Sequence, residues 1–369
     1  MKTKEFITLV VGARPNFIKA GPLLRALQRM DWLQVRLIHT GQHFDENMSL
    51  VFFEQLHLPK PDAFLNVNTG DAASQIAQVV AAIANQFTDF PPRLVAVFGD
   101  VNSTLAAAIA ANKMEIPLAH VEAGLRSFDR TMPEEHNRVV TDMLSDFLFT
   151  PSADADENLV KEGVARERIY RVGNIMADSL LAFRPEAEKL ETTLQFGLQE
   201  KEYGLVTLHR PANVDNPSVL KEILAALREI NRELPLVFPV HPRTRKKIDD
   251  LGFSSKNGIG QIQFTDPLSY LDFLNLAMNA RLVLTDSGGI QEETTLLGVS
   301  CLTLRENTER PITITQGTNH LVGNTRGAII KGFQSARQQT KTITKTPDLW
   351  DGKTAERIAS ILYEKLNDK

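Results

Sequence analysis

The chain has 369 residues, of which 43% are hydrophobic and 23% charged, and its formal net charge is -4. That length suggests about two domains, and the composition is that of an ordinary globular protein. The slightly acidic balance, without a long basic run, argues against a nucleic-acid partner, and no run approaches the ~18 apolar residues of a membrane span.

Residues 6–11 are a continuous apolar, β-branched run, read as a strand buried on both faces. The run is too short for the core of a signal peptide, so a cytoplasmic protein is expected. The turn Gly12-Ala13-Arg14-Pro15-Asn16 leads into helical spacing over residues 17–30, with Pro22 as a kink or a late start. G-x-G-x-x-G is absent, which argues against a dinucleotide site. Arg14 and Lys19 still bring two cations near a helix N-terminus, a favourable place for phosphate; solvated surface charges are the alternative. A strand over 35–39 is followed by a loop, in which His43 either contacts a ligand or caps the loop, and by a helix over 46–56. Asp71 is the expected N-cap of a long Ala-rich helix reaching about residue 87.

The stretch from Leu94 to Arg138 is the expected chemical centre. Two apolar runs, 94–98 and 117–121, each lead to an acid, Asp100 and Glu122, and a small-residue helix over 101–112 lies between them. Gly124 permits a tight turn, and Pro133 suits a first helical position with Glu134 and Glu135 in the first turn and Arg138 one turn on. The helix dipole alone would favour that acidic pair. In open parallel sheets, however, ligands bind beyond the carboxyl ends of the strands, where these acids fall. A strand over 147–150, a helix over 153–162 and a strand over 169–172 continue the alternation, which predicts an α/β fold with helices on both faces of a parallel sheet.

The second half repeats the pattern after a charged, helix-like segment over 185–198. Strands are expected over 203–208, 236–240, 262–264, 282–284 and 301–304, with a helix over 218–234 and an amphipathic last helix from about 353. The lone Cys301 excludes a disulfide framework and any multi-cysteine metal site, and reads as a buried inert thiol. Ser287, Gly288 and Gly289 offer a hydroxyl and uncrowded N–H groups at a helix N-terminus, a phosphate site. Glu292 and Glu293 are expected in the first turn, able to accept sugar hydroxyls or simply favoured by the dipole. Arg305 and Arg310 are further anion partners, and His209, just after a strand, could donate a proton to a diphosphate leaving group.

The segments G-A-R-P-x-F-I-K, G-Q-H, F-G-D, H-V-E-A-G-L-R-S, P-E-E-x-N-R, a strand-end H-R, L-T-D-S-G-G-I-Q-E-E and E-R-P, in that order and spacing, resemble the non-hydrolysing UDP-N-acetylglucosamine 2-epimerases over nearly the whole chain. The resemblance implies the glycosyltransferase-B type of α/β fold, two Rossmann-like domains with parallel sheets facing a cleft. Residues 1–173 would carry the catalytic carboxylates, 174–352 would bind UDP, and a helix over 353–369 would cross back to the first domain. The implied reaction is reversible epimerisation at carbon 2 of UDP-GlcNAc, giving UDP-ManNAc, by elimination of UDP to a 2-acetamidoglucal and re-addition. No nicotinamide or other cofactor and no metal is expected; the partner is a UDP-sugar and the assembly a homodimer.

By resemblance, Asp100, Glu122 and Glu134 are the acid/base carboxylates, Arg138 orients them, and His209 lies near the diphosphate. Arg14, Lys19, Phe273, Ser287, Gly288, Gly289, Glu293 and Arg310 match UDP-binding positions, and Gln42 and His43 match the neighbourhood of an allosteric UDP-GlcNAc site. Carboxylates sharing a site repel, which raises the pKa of at least one and makes it a usable acid. The sequence departs from the commoner pattern at Ala13, Asn16, Ala212 and Leu268, and has Asn68-Thr69-Gly70-Asp71 where some members place an Arg-Gln pair. A glycosyltransferase on the same fold would need an acceptor groove and not three carboxylates, and a non-catalytic sensor would tolerate loss of Asp100 or Glu134. The nearest alternative is a 2-epimerase of a modified UDP-sugar, a 2,3-diacetamido uronic acid or a 6-deoxy sugar.

Overall fold

A computed structural model of the chain describes residues 5–31, 33–41, 53, 56–67, 70–253, 262–338 and 346–367. It divides into two compact units, Met1–Ala182 with Asp348–Lys369, and Phe183–Pro347.

The first unit is built on a parallel sheet of seven strands: β1 (Glu5–Val11), β2 (Leu33–His39), β3 (Ala63–Phe64), β4 (Leu94–Phe98), β5 (Leu118–Val121), β6 (Phe147–Thr150) and β7 (Ile169–Arg171). The spatial order is β3-β2-β1-β4-β5-β6-β7. β1 runs in unbroken register against β2, from Glu5 opposite Leu33 to Val11 opposite His39. The connecting helices are α1 (Arg14–Gln28), α2 (Ala72–Asp89), α3 (Asn102–Lys113), α4 (Pro133–Leu144) and α5 (Ala153–Lys161), followed by α6 (Ile175–Ala187), which belongs to this unit as far as Ala182. α1 starts at Arg14, earlier than the spacing suggested, because Pro15 fits the first turn, where its missing N–H costs nothing. Asp71 caps α2 by accepting the Ser74 N–H at 2.8 Å. The alanines of α3 (106, 107, 108, 110 and 111) are buried, and their small size lets the helix lie close to β4, whose residues are all buried.

The second unit repeats the arrangement with β8 (Gly204–Thr207), β9 (Leu236–Pro239), β10 (Gln263–Thr265), β11 (Leu282–Thr285), β12 (Ser300–Thr303) and β13 (Asn319–Leu321), ordered β10-β9-β8-β11-β12-β13 and parallel throughout. Its main helices are α7 (Pro217–Ile230), α8 (Pro242–Asp250), α9 (Tyr270–Asn279), α10 (Gly288–Leu297) and α11 (Arg326–Gln338). The chain then returns to the first unit as α12 (Thr354–Asn367), whose buried Ile358, Ala359, Leu362 and Leu366 pack on α1. Trp350, just before it, donates its indole N–H to Pro151 O at 3.0 Å.

The strand order of each sheet reverses between its first and fourth strands, β1 and β4 in one and β8 and β11 in the other. Crevices beyond the carboxyl ends of strands at such reversals are where open α/β sheets bind ligands. Among the described residues, no helix is long and apolar enough to cross a membrane.

Candidate active site

In the first unit the turn after β1 is tied directly to the end of β4. Asn16 accepts the N–H groups of Gly12 and Ala13 at 3.2 and 3.1 Å and donates to Phe98 O at 2.9 Å. The amide supplies both acceptor and donor, so an asparagine suits this buried bridge. The Arg14 side chain, Gln42, His43, most of the expected helix over 46–56, and Asn68 and Thr69 lie outside the described residues.

Asp100 and Glu122 follow β4 and β5 as expected. Arg138, on α4, forms ion pairs with both Asp100 and Glu135. Of the acidic pair on the first turn of α4, Glu135 is buried against Arg138, and Glu134, the expected acid, stands half-buried beside it. Glu135 also accepts the Ser127 N–H at 3.0 Å, the Ser127 hydroxyl at 2.8 Å and the Phe128 N–H at 2.8 Å. Burial works against its ionisation, but the bonds from Ser127, the Arg138 charge and the Phe128 N–H outweigh it and hold the carboxyl below its ordinary range. Glu135 thus anchors the 127–128 loop and Arg138, and Arg138 in turn holds Asp100.

Glu122 is buried and pairs with Lys19 Nζ at 2.5 Å. The cation expected on a UDP phosphate is thus paired here with one of the expected acid/base carboxylates. Glu122 has a φ of 76°, unusual for a residue with a side chain, and such conformations cluster at functional sites. Beneath it lies a buried polar network. His120 binds Asp142 through Nδ1 at 2.6 Å and Gly99 O through Nε2 at 2.8 Å, and Asp142 also takes Arg126 at 2.7 Å and the Gly124 N–H at 3.1 Å. Burial opposes ionisation of Asp142, but the neighbouring His120 and Arg126 keep its carboxyl low. Gly124 has φ 80°, and a Cβ there would lie 2.4 Å from Ala155 O, so no other residue fits the turn. The network joins the loops after β4 and β5 and fixes the bases of Asp100 and Glu122.

In the second unit His209 follows β8 and Asp286 follows β11, so they meet at the reversal of strand order. Ser287 is the N-cap of α10, with Gly288 and Gly289 opening the helix. A Cβ on Gly288 would lie 2.4 Å from Arg310 Nη1 and 2.6 Å from Glu309 Oε1, so glycine admits the arginine to this helix end. Arg310 is buried, paired with Glu292 at 2.9 Å and with Glu309; Arg305 meets Glu309 at 2.7 Å and Arg210 meets it at 3.6 Å.

Glu292 and Glu293 occupy the fifth and sixth positions of α10, beyond the first turn in which they were expected. The dipole argument loses force there, and both carboxyls are buried. Tyr270 donates its hydroxyl to Glu293 at 3.3 Å. Burial drives the Glu293 carboxyl up to about 7; the Tyr270 bond opposes this and the Glu292 charge adds to it. Phe273 and Leu268 are partly buried against an apolar cluster that includes Tyr203, Leu205 and Leu276. Cys301 is fully buried, and burial pushes its thiol up to about 12.

Two parallel sheets of the same reversed strand order, one ending in a carboxylate–arginine cluster and the other in a glycine-opened helix among buried arginines, define a two-Rossmann α/β enzyme class. The family described as UDP-N-acetylglucosamine 2-epimerase matches residues 25–363. The UDP-N-acetylglucosamine 2-epimerase of Methanocaldococcus jannaschii is 42% identical over 364 residues, covering 96% of this chain and 98% of that protein. The crystal structure of that enzyme with UDP-GlcNAc and UDP superposes with a TM-score of 0.91 over 97% of this chain and 99% of that one. The UDP-2,3-diacetamido-2,3-dideoxy-D-glucuronate 2-epimerase of Pseudomonas aeruginosa is 43% identical, covering 96% of this chain and 99% of that protein. The chain belongs to the UDP-N-acetylglucosamine 2-epimerase family, a family of isomerases, and has its fold of two parallel-sheet α/β units.

Proposed function

We propose that this protein interconverts UDP-N-acetylglucosamine and UDP-N-acetylmannosamine by elimination and re-addition of UDP. The observation that carries the reading is the arrangement of strand-end acids in the first unit: Asp100 held by Arg138, and Glu122 held by Lys19. The carbon-2 proton is weakly acidic, so a carboxylate must be fixed against it, and two acids on fixed backbones suit removal from one face and delivery to the other. In the forward step a carboxylate takes the carbon-2 proton, its bonding pair forms the C1–C2 double bond, and the C1–O bond breaks with UDP carrying away the electrons. Addition of UDP to C1 and of a proton to C2 from the opposite face completes inversion.

We assign acid/base roles to Asp100, Glu122 and Glu134, and the orientation of Asp100 to Arg138. His209 meets the departing diphosphate. In the second unit Ser287, Gly288, Gly289 and Arg310 hold its charge, Glu293 takes the ribose and Phe273 lies by the base; in the first unit Arg14 and Lys19 are the substrate-binding cations. Preorganised donors and cations of this kind stabilise a leaving oxyanion. The reading includes a homodimer in the cytoplasm. A second sugar is kept in view by the Pseudomonas relative, as similar as the Methanocaldococcus one and named for a diacetamido uronic acid.

Turnover of UDP-GlcNAc in deuterium oxide, without added nicotinamide, is expected to give UDP-ManNAc carrying deuterium at carbon 2. Asp100→Asn, Glu122→Gln and Glu134→Gln are each expected to slow this exchange by about two orders of magnitude, in line with lost acid/base catalysis, while largely sparing UDP binding. Inversion with the original proton retained would rule out the elimination route. Reaction only on a diacetamido or 6-deoxy UDP-sugar would keep the chemistry and change the substrate.

A further inference from the structure

Among the described residues, histidines stand at or just beyond the carboxyl ends of β2, β8 and β9: His39, His209 and His241. Their Nδ1 atoms face different partners. His39 Nδ1 accepts the Gly41 N–H at 2.8 Å, and His241 Nδ1 accepts the Arg243 N–H at 3.3 Å. An acceptor nitrogen carries no proton, so both rings, when neutral, are protonated at Nε2. His209 is built the other way. Its Nδ1 lies 3.1 Å from Asp286 Oδ1, a carboxylate oxygen that can only accept.

Asp286 is fully buried, whereas 56% of the His209 side chain is exposed. The carboxylate is itself locked. Oδ1 takes the His209 N–H at 3.0 Å, and Oδ2 takes the Arg210 N–H at 3.0 Å and Asn213 Nδ2 at 3.2 Å. Asn213 is fixed in turn by donating to Leu304 O at 2.9 Å. Burial opposes ionisation of Asp286, but the bond and charge of His209 and the two backbone N–H groups hold its carboxyl low. A carboxylate that stays ionised, binding Nδ1 and the backbone of the same residue, fixes both the tautomer and the direction of the ring.

We propose that Asp286 is a positioning residue for His209: it keeps the imidazole proton on Nδ1 and turns Nε2 outward as the nitrogen that meets the substrate. The proposal rests on the reading that His209 serves the diphosphate end of a UDP-sugar. An outward Nε2 lone pair can receive a proton, and once protonated the ring can donate it to the departing phosphate oxygen, with the imidazolium balanced by the buried carboxylate. A ring held in the opposite tautomer could not take up the proton on the side facing the substrate.

Heteronuclear NMR of histidine-labelled protein, at a pH where the ring is neutral, reads the tautomer directly. The His209 signal is assigned by its loss in His209→Asn. The expected result is an Nδ1 proton on His209, with His39 and His241 showing the reverse. Asp286→Asn should mix the His209 tautomers and lower kcat by about tenfold to a hundredfold with little change in KM, the range for lost orienting partners. Asn213→Ala, which loosens the same loop but leaves the Asp286–His209 pair, should retain the tautomer. An Nε2 proton on His209 in the unmodified protein overturns the proposal, and so does an Asp286→Asn variant with unchanged tautomer and kcat. Full kcat in His209→Asn would instead overturn the role of His209 in the reaction, a separate result that the NMR reading does not depend on.

Discussion

Glu293 meets two conflicting demands. The proposed role, accepting ribose hydroxyls, favours the ionised form, yet complete burial, with Glu292 adding to it, has pushed its pKa up to about 7 from an ordinary 4.5. The native state therefore keeps a proton that the unfolded chain releases between pH 4.5 and 7, so the contribution of Glu293 to stability falls as pH rises through that window. Above pH 7 the site is destabilised by about 3 kcal/mol relative to an unshifted carboxyl. Glu293→Gln is expected to raise Tm at pH 8 but not at pH 5, and to weaken UDP binding about tenfold or more by calorimetry. An equal change in Tm at both pH values would sink the burial account. The two acids after a Gly-Gly helix start are visible in the sequence. Which member of an acidic pair does what was not. Glu135 is chosen as the anchor by N–H groups seven and eight residues earlier, and Asp286 meets His209 across 77 residues. Neither separation leaves a mark on local composition.

The last helix, α12, owes its start to another element. Asp178, on α6, accepts the Thr354 N–H at 3.1 Å and the Ala355 N–H at 2.8 Å, satisfying two of the donors a helix leaves bare. Burial raises the Asp178 pKa, and these N–H groups oppose the rise. Asp178→Ala is expected to cost about 1–2 kcal/mol, as for loss of an N-cap, and to strip hydrogen-exchange protection from the first turn of α12 while leaving β4 protected. Unchanged protection there would show that the cap contributes nothing. Central strands such as β4 and β6 were readable to the residue because strands buried on both faces are continuous apolar runs. Two of the four edge strands were not: β3 has two residues, and β13 reads Asn319-His320-Leu321, too polar and too short to carry a period. The 185–198 segment lacked a core pattern because it holds only the end of α6 and one further turn of helix, Thr192–Gln195.

For the molecule as a whole, acid stability is set in part by His39, buried among Phe17, Phe53 and Phe64. Burial lowers its pKa to about 4, against a bond within its own backbone that acts the other way. The native ring stays neutral while the unfolded chain takes up a proton below about pH 6.5, so stability is lost as pH falls from 6.5 towards 4. This accounts for about 2 kcal/mol between pH 7 and pH 5, opposite in sign to the effect of Glu293. In His39→Asn the side-chain oxygen can still accept the Gly41 N–H, and urea unfolding of the first unit should show that gap narrowed; a gap as wide as before would place the acid sensitivity elsewhere. The return of α12 to α1 has a consequence for biosynthesis. The first unit is discontinuous, with the whole of the second, Phe183–Pro347, inserted before its final segment. A ribosome therefore delivers the seven-stranded sheet long before the helix that covers α1, and the apolar surface awaiting Ile358, Leu362 and Leu366 stays uncovered while the second unit is made. The second unit, contiguous in the chain, is free to fold to completion first, and the half of the protein that carries the carboxylates is the last to be sealed.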